Sequence, residues 1–377
     1  MNTSVLHVYR TYFPDPPGGL QEAIRQIALS TGMQGVANTI FTLSPQPEPG
    51  ILLQPEARVV RSRSWVAPAS CDFGGPAAFS TFSRLAREAD VLHYLFPWPF
   101  ADMLRAAVRS DRPAVLTYIS DVVRQRWLGA AYAPLMWRTL RQMRVIVANS
   151  PAYARTSPVL SHRDVRDKVR VIPLGIEESS YPKRGDDGIF QRLGLSLGEG
   201  EPFFLFIGVL RYYKGLQFLV QAAKGLGARV VIAGSGPKQA ELVSLAAQTG
   251  AGNVIFAGQV SVAEKVALLQ RCRALVLPSH LRSEAYGMVL VEAAMFGRPM
   301  ISCEIGTGTS YVNAHEETGF AVAPESPAEL QRAMHMLLAD DALAAGMGSA
   351  ARARYEQLFS GPALGRAYSA LFREVAG

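Results

Sequence analysis

Two glutamates eight residues apart, Glu284 and Glu292, enclose Ala285-Tyr286-Gly287-Met288-Val289-Leu290-Val291. The apolar run Ala274-Leu275-Val276-Leu277-Pro278 before them reads as a buried strand. Residues 288–296 read as a helix stopped by Gly297 and Pro299. The pair therefore flanks a strand-to-helix turn. Eight residues of helix span ~12 Å, so the two carboxylates can address two parts of one elongated ligand. A plainer reading is a pair of surface carboxylates near a helix N-terminus, where the helix dipole favours them.

Other segments complement this pair. In Phe206-Ile207-Gly208-Val209-Leu210-Arg211-Tyr212-Tyr213-Lys214-Gly215-Leu216, a strand ends at Gly208 and a helix opens near Gly215. Arg211 and Lys214 lie in the basic loop between. Lys214 at a helix start suits a diphosphate, a point charge reinforced by backbone donors, and a solvated basic turn is the alternative. Gly306, Thr307, Gly308 and Thr309 follow a strand expected at 300–302. Alternating glycines let successive N–H groups approach phosphate oxygens. Near the N-terminus, Gly18 and Gly19 follow the first strand and by themselves read as a plain strand-to-helix turn. Asp121, in Tyr118-Ile119-Ser120-Asp121, can cap a helix. Cations for a departing diphosphate and carboxylates for hydroxyls are the requirements of glycosyl transfer from a nucleotide sugar.

The Glu-x7-Glu element resembles that of the GT-B glycosyltransferases of family 4. The likeness covers nearly the whole chain and is strongest over residues 203–323. It implies two Rossmann-like, doubly wound parallel-sheet domains facing a cleft, with a nucleotide-sugar donor as partner. It places Glu292 on the ribose hydroxyls and Glu284 on the donor sugar. Lys214 and Arg211 would face the diphosphate, and Asp121 the acceptor. Gly208, Gly287, Met288, Val289, Gly18, Gly19 and the 306–309 loop would line the donor. Two positions depart from the pattern: Val209 stands where an arginine is usual, and Ile119 where a histidine is usual. Ile305-Gly306-Thr307-Gly308-Thr309-Ser310-Tyr311-Val312-Asn313 looks most like bacterial O-antigen mannosyl- and rhamnosyltransferases. That likeness implies GDP-mannose or GDP-rhamnose as donor, a retaining mechanism and a polyprenyl-diphosphate-linked saccharide as acceptor. A catalytically silent nucleotide-sugar- or glycan-binding protein on the same fold is the rival reading. A nicotinamide-dependent dehydrogenase would need Gly-x-Gly-x-x-Gly after the first strand, which is missing.

These residues need rigid elements behind them, and the chain is long enough to supply two cores. It has 377 residues, 49% hydrophobic and 18% charged. Apolar strands are expected at 5–9, 38–43, 91–94, 114–117, 145–148 and 169–173. A second set is expected at 203–207, 230–233, 254–256, 274–277, 300–302 and 319–322. Helical segments alternate with them, which predicts parallel sheets covered on both faces. The polar, breaker-rich segment 177–188 reads as a linker or hinge. The domains expected are 1–178 for the acceptor, 179–360 for the nucleotide sugar, and 361–377 as a terminal helix returning to the first domain.

Residues 1–180 hold 20 Lys+Arg against 14 Asp+Glu, and the remainder 18 against 17, so most of the net charge of +7 lies in the first half. An anionic partner such as a membrane surface or a phosphate-bearing substrate fits, as does ordinary solubility charge. No nucleic-acid partner is expected. Arg124, Arg126, Trp127, Tyr132, Trp137, Arg138, Arg141 and Arg144 form a basic, aromatic stretch. It suits either a peripheral contact with the inner membrane or a core-facing helix pair with a solvated face, and Pro134 is expected to divide it. Neither a spanning segment nor a signal peptide is evident, so a cytoplasmic location is expected. Three separated cysteines and six scattered histidines show no metal spacing, and no metal or other cofactor is expected.

Overall fold

The computed structural model describes residues 3–15, 18–68, 71–108, 110–121, 126–195 and 201–377, without the side chains of 126–131. The chain divides into two compact units. Unit 1 comprises Met1–Glu177 together with Gly361–Gly377, and unit 2 is Glu178–Ser360.

Unit 1 contains the strands β1 (Ser4–Val8), β2 (Ala37–Ser44), β3 (Ile51–Leu53), β4 (Arg58–Val66), β5 (Phe73–Gly74), β6 (Val91–Phe96), β7 (Ala114–Tyr118), β8 (Val145–Ala148) and β9 (Val169–Val171). Its helices are α1 (Gly19–Gly32), α2 (Pro76–Glu88), α3 (Pro99–Ala107), α4 (Arg126–Gln142) and α5 (Pro151–Thr156). The order is β3-β4-β2-β1-β6-β7-β8-β9, with β5 attached to β4. Pairing is parallel except at β3 and β5. Every residue of β6, β7 and β8 is buried. This explains their nearly unbroken apolar sequences, since a parallel sheet is covered on both faces.

Unit 2 contains β10 (Phe203–Ile207), β11 (Arg229–Ala233), β12 (Val254–Gly258), β13 (Ala274–Leu277), β14 (Met300–Cys303) and β15 (Gly319–Val322). They form an all-parallel sheet in the order β12-β11-β10-β13-β14-β15. The chain runs outward from β10 to one edge, then returns to β13 and builds the other. This is the dinucleotide-fold order, whose reversal point opens a crevice at the carboxyl ends of the two central strands. Its helices are α6 (Gly188–Arg192), α7 (Leu216–Ala223), α8 (Gln239–Thr249), α9 (Val262–Arg271), α10 (Met288–Met295), α11 (Thr309–Val312), α12 (Pro327–Ala339) and α13 (Asp341–Arg354).

The last helix, α14 (Gly361–Ala376), belongs to unit 1 and packs on α1. It buries Leu364, Tyr368, Leu371, Phe372 and Val375. At Gly365 the helices approach so closely that a Cβ would stand 2.3 Å from the Ser30 carbonyl oxygen. Beneath α14 runs a buried polar chain. Asn38 fixes its amide by donating to the Ala28 carbonyl, so its oxygen accepts from His7 Nε2 at 2.9 Å. His7 Nδ1 then accepts from His93 Nδ1 at 2.8 Å, and His93 Nε2 accepts from the Thr117 hydroxyl at 2.7 Å. The Tyr368 hydroxyl of α14 donates to Thr117 at 2.9 Å. This direction of donation satisfies every member with both imidazoles neutral. Burial pushes His7 down to about 4, and burial together with His7 holds His93 well below the usual range.

One expectation is corrected. Pro134 does not divide the basic stretch: α4 is one helix from Arg126 to Gln142 with the proline inside. A proline removes one backbone donor and can leave the rest of a helix ladder in place. The segment 177–188, expected as a linker or hinge, is anchored on α9. The Asp186 N–H donates to the Ala263 carbonyl at 2.9 Å, and Gly185 lies so close to α9 that a Cβ would stand 2.3 Å from the Ala267 nitrogen. The unit boundary falls between Glu177 and Glu178. The strands β3, β4 and β5 on one side of the unit 1 sheet are additional, as is α13.

Candidate donor site

The site is built from the loops that follow β10 and β13, the two strands at the reversal point of the unit 2 sheet. Beyond β10, Gly208 donates its N–H to the Ala233 carbonyl at 3.0 Å. A short 3-10 turn, Tyr212–Lys214, then leads into α7. Gly215 joins turn and helix at φ +67°, where a Cβ would lie 2.0 Å from the Pro278 carbonyl oxygen. Only glycine fits that approach, which presses the Lys214 turn onto the end of β13. A Cβ at Gly208 would stand 3.8 Å from Lys214 Nζ, so Gly208 and the ammonium are neighbours. Arg211 opens the turn and is exposed, as is Val209.

Beyond β13, the chain turns through Glu284 and enters α10 at Gly287, at φ +82°. Met288 and Val289 are half-buried in its first turn, and Glu292 occupies the next. Lys214 Nζ and the Ser279 hydroxyl both donate to Oε2 of Glu284, the latter at 3.1 Å. Burial alone would lower the Lys214 ammonium, but the Glu284 carboxylate outweighs it, and the net shift is upward. The cation expected at a diphosphate and the carboxylate expected at a sugar are thus paired with each other.

The 306–309 loop packs against the Glu284 turn. The Thr307 hydroxyl donates to the Glu284 carbonyl at 2.8 Å, and the Gly308 N–H to the Ala285 carbonyl at 2.9 Å. Arg282 reaches the Gly306 carbonyl at 2.9 Å. Thr309 donates to the Cys303 carbonyl at 3.2 Å. Both threonines are fully buried, so their hydroxyls anchor the loop, and phosphate contacts here would come from its backbone.

Glu292 is held by two residues that sequence reasoning missed. The Tyr181 hydroxyl donates to Glu292 Oε1 at 2.5 Å, and Lys265 Nζ reaches the same oxygen at 2.6 Å. Lys265 lies 4.8 Å above the Tyr181 ring. Lys265 sits in the first turn of α9, whose start is set by a Ser261–Glu264 capping box. That Ser-x-x-Glu signature was readable, but nothing in it pointed to Glu292. The turn before Tyr181 is tied by Arg352 of α13, which grips both Glu178 oxygens at 3.0 and 2.8 Å and also reaches the Met295 carbonyl at the end of α10.

The remaining candidates lie in unit 1. Gly18 and Gly19 form the start of α1 with extended backbone at Gly18, while the prolines before them lie outside the described residues. Asp121 accepts from the Tyr118 hydroxyl at 3.0 Å and the Ser157 hydroxyl at 2.6 Å. The described part of α4 begins at Arg126, and residues 122–125 between it and Asp121 lie outside the described residues. Ile119 is buried, so an apolar side chain fills the core where histidine was expected. Of the basic stretch, Arg124 and the side chains of Arg126 and Trp127 lie outside the described residues, while Arg138, Arg141 and Arg144 are exposed.

Residues 17–180 match the family described as Glycosyltransferase Family 4, and residues 190–354 match Glycosyl transferases group 1. The chain is 47% identical over 357 residues to the D-rhamnosyltransferase WbpZ of Pseudomonas aeruginosa, covering 94% of this chain and 92% of that one. It is 39% identical over 368 residues to the O-antigen chain mannosyltransferase C of Escherichia coli, covering 98% and 97%. Among solved structures, Anabaena HepE in complex with UDP-glucose superposes with a TM-score of 0.79 at 18% identity, covering 99% of this chain and all of that one. The paired sheets, the Glu-x7-Glu turn and these relationships together show that the chain belongs to the group 1, family 4 glycosyltransferases and has their GT-B fold.

Proposed function

We propose that the protein is a retaining hexosyltransferase of O-antigen synthesis. It moves mannose or D-rhamnose from the GDP derivative to a saccharide carried on polyprenyl diphosphate, at the cytoplasmic face of the membrane. The observation that carries this reading is the grouping of Lys214, Glu284 and Glu292 on the loops and helix that follow β10 and β13. The choice of sugar rests on the likeness to a rhamnosyl- and a mannosyltransferase.

In this reading Glu292 accepts the ribose hydroxyls. Lys214, joined by Arg211, exchanges Glu284 for the diphosphate and neutralises its charge as the glycosidic bond breaks. Glu284, released from Lys214, holds a hydroxyl of the sugar. The departing diphosphate accepts the acceptor's proton on the same face, so the new bond retains configuration. In this reading lysine, arginine and backbone N–H groups do the work of a metal. Exposed Arg138, Arg141 and Arg144 suit an anionic membrane surface, and no described helix is long and apolar enough to cross it.

The test is a panel of GDP-, UDP- and ADP-sugars with lipid-linked acceptor, in the presence and absence of EDTA, reading nucleotide release. Acceptor-dependent, EDTA-insensitive release from GDP-mannose or GDP-D-rhamnose is expected. Release from another donor would overturn the choice of sugar. Donor binding without release would favour the silent reading, which Ile119 and Val209 motivate.

A further inference from the structure

Glu292 has two carboxylate oxygens, and the fold treats them differently. Oε1 takes both the Tyr181 hydroxyl at 2.5 Å and the Lys265 ammonium at 2.6 Å. Oε2 carries no hydrogen bond among the described residues. The carboxylate is largely buried, with a side-chain exposure of 11%, and Lys265 has 19%. A buried carboxylate saturated on one oxygen cannot rotate freely without losing two charge-assisted bonds, each stronger than a neutral one. Tyr181 and Lys265 are also coupled to each other: the ammonium sits over the phenol ring and lies 3.3 Å from its oxygen. Both are fixed from behind, Lys265 by the capping box of α9 and the Tyr181 turn by Arg352.

We propose that Tyr181 and Lys265 are positioning residues of the nucleoside site: by occupying Oε1 of Glu292 they reserve Oε2 as the acceptor for the donor's ribose hydroxyls. The inference rests on the reading of Glu292 as the ribose ligand. It adds two residues from distant parts of the chain, 111 and 27 positions from Glu292. Their contribution is orientation rather than contact. Removing either one leaves the glutamate in place but lets its carboxylate turn, so discrimination for the ribose hydroxyls falls while the chemistry at the sugar is spared.

The experiment measures binding of GDP and UDP, each against its 2′-deoxy form, by calorimetry on the full chain. The variants are Tyr181→Phe, Lys265→Met, Lys265→Arg and Glu292→Ala. Wild-type protein should prefer the ribo form of the nucleotide it binds by roughly tenfold or more, the worth of one hydrogen bond to a charged group. Tyr181→Phe and Lys265→Met should each lose most of that preference, and Lys265→Arg should restore part of it. Turnover should show a raised donor KM with kcat nearly unchanged. Thermal melts confirm that each variant is folded, and Tyr181→Phe keeps the ring under Lys265. If Glu292→Ala abolishes the preference but Tyr181→Phe and Lys265→Met keep it, the positioning role is wrong and the ribose reading stands. If wild-type protein shows no preference, or Glu292→Ala retains it, the ribose reading fails and this inference fails with it.

Discussion

Lys214 and Glu284 neutralise each other in a place where water reaches little of either side chain, with exposures of 12% and 11%. Removing one partner of such a pair leaves an uncompensated charge, a larger loss than removing both. Lys214→Met should therefore destabilise the protein by about 3 kcal/mol. Adding Glu284→Gln should recover much of this in a thermal melt. Turnover should remain depressed in the double variant, since neither group is then available to the donor. A Lys214→Met protein that melts with the wild type would show that the pair does not carry this charge balance. The residues around this pair were legible to different degrees. Glu284, Glu292 and Lys214 stood out because strand, turn and helix signals surround each of them locally. Tyr181 and Lys265 did not, because their role exists only once two remote segments meet at Glu292.

Elements explain what the residues alone do not. The Lys214 turn is held against β13 by a glycine that no other residue can replace without moving the Pro278 carbonyl. Gly215→Ala combines a left-handed backbone with a 2.0 Å overlap. It should destabilise the protein by about 2 kcal/mol or more and weaken donor binding, measured by melting and titration. Most strands were legible from apolar runs, since buried parallel strands have no polar face to interrupt them. The strand β4 was not, because Arg58, Arg61 and Arg63 break its pattern. Arg61 is nevertheless buried, donating to the Ser44 hydroxyl at 2.7 Å and the Gln46 carbonyl at 2.8 Å and pairing with Asp15. A charged residue whose partners come from other loops hides a strand from any local reading. Pro134 misled in the opposite direction, as a breaker signal inside a continuous helix.

At the scale of the molecule, unit 1 is closed by the last residues of the chain. Burying five large side chains of α14 contributes on the order of 10 kcal/mol, comparable with the whole stability of a domain. A fragment of residues 1–177 should consequently show no cooperative melt, and linking residues 361–377 to it should restore one. The histidine chain beneath α14 makes the same unit sensitive to acid. His7 titrates at about 4 in the fold against an ordinary value of 6.5, so the unfolded chain takes up its proton first. The stabilisation is whole above pH 6.5 and is lost as pH falls toward 4, by ~3 kcal/mol from His7 alone. The melting temperature should drop across that window, and His7→Gln should flatten the dependence.

The return of α14 to unit 1 also sets an order of events during synthesis. Unit 2 is one uninterrupted segment, whereas unit 1 is built from two segments that unit 2 separates. Unit 1 is begun before unit 2 and completed after it, because α14, the helix that covers α1, follows residue 360. A nascent chain therefore carries an open apolar face on α1 for most of its elongation. Pulse-chase proteolysis of stalled chains lengthened by a C-terminal linker should find unit 2 protected once residue 360 has cleared the exit tunnel, and unit 1 protected only once residue 377 has followed it.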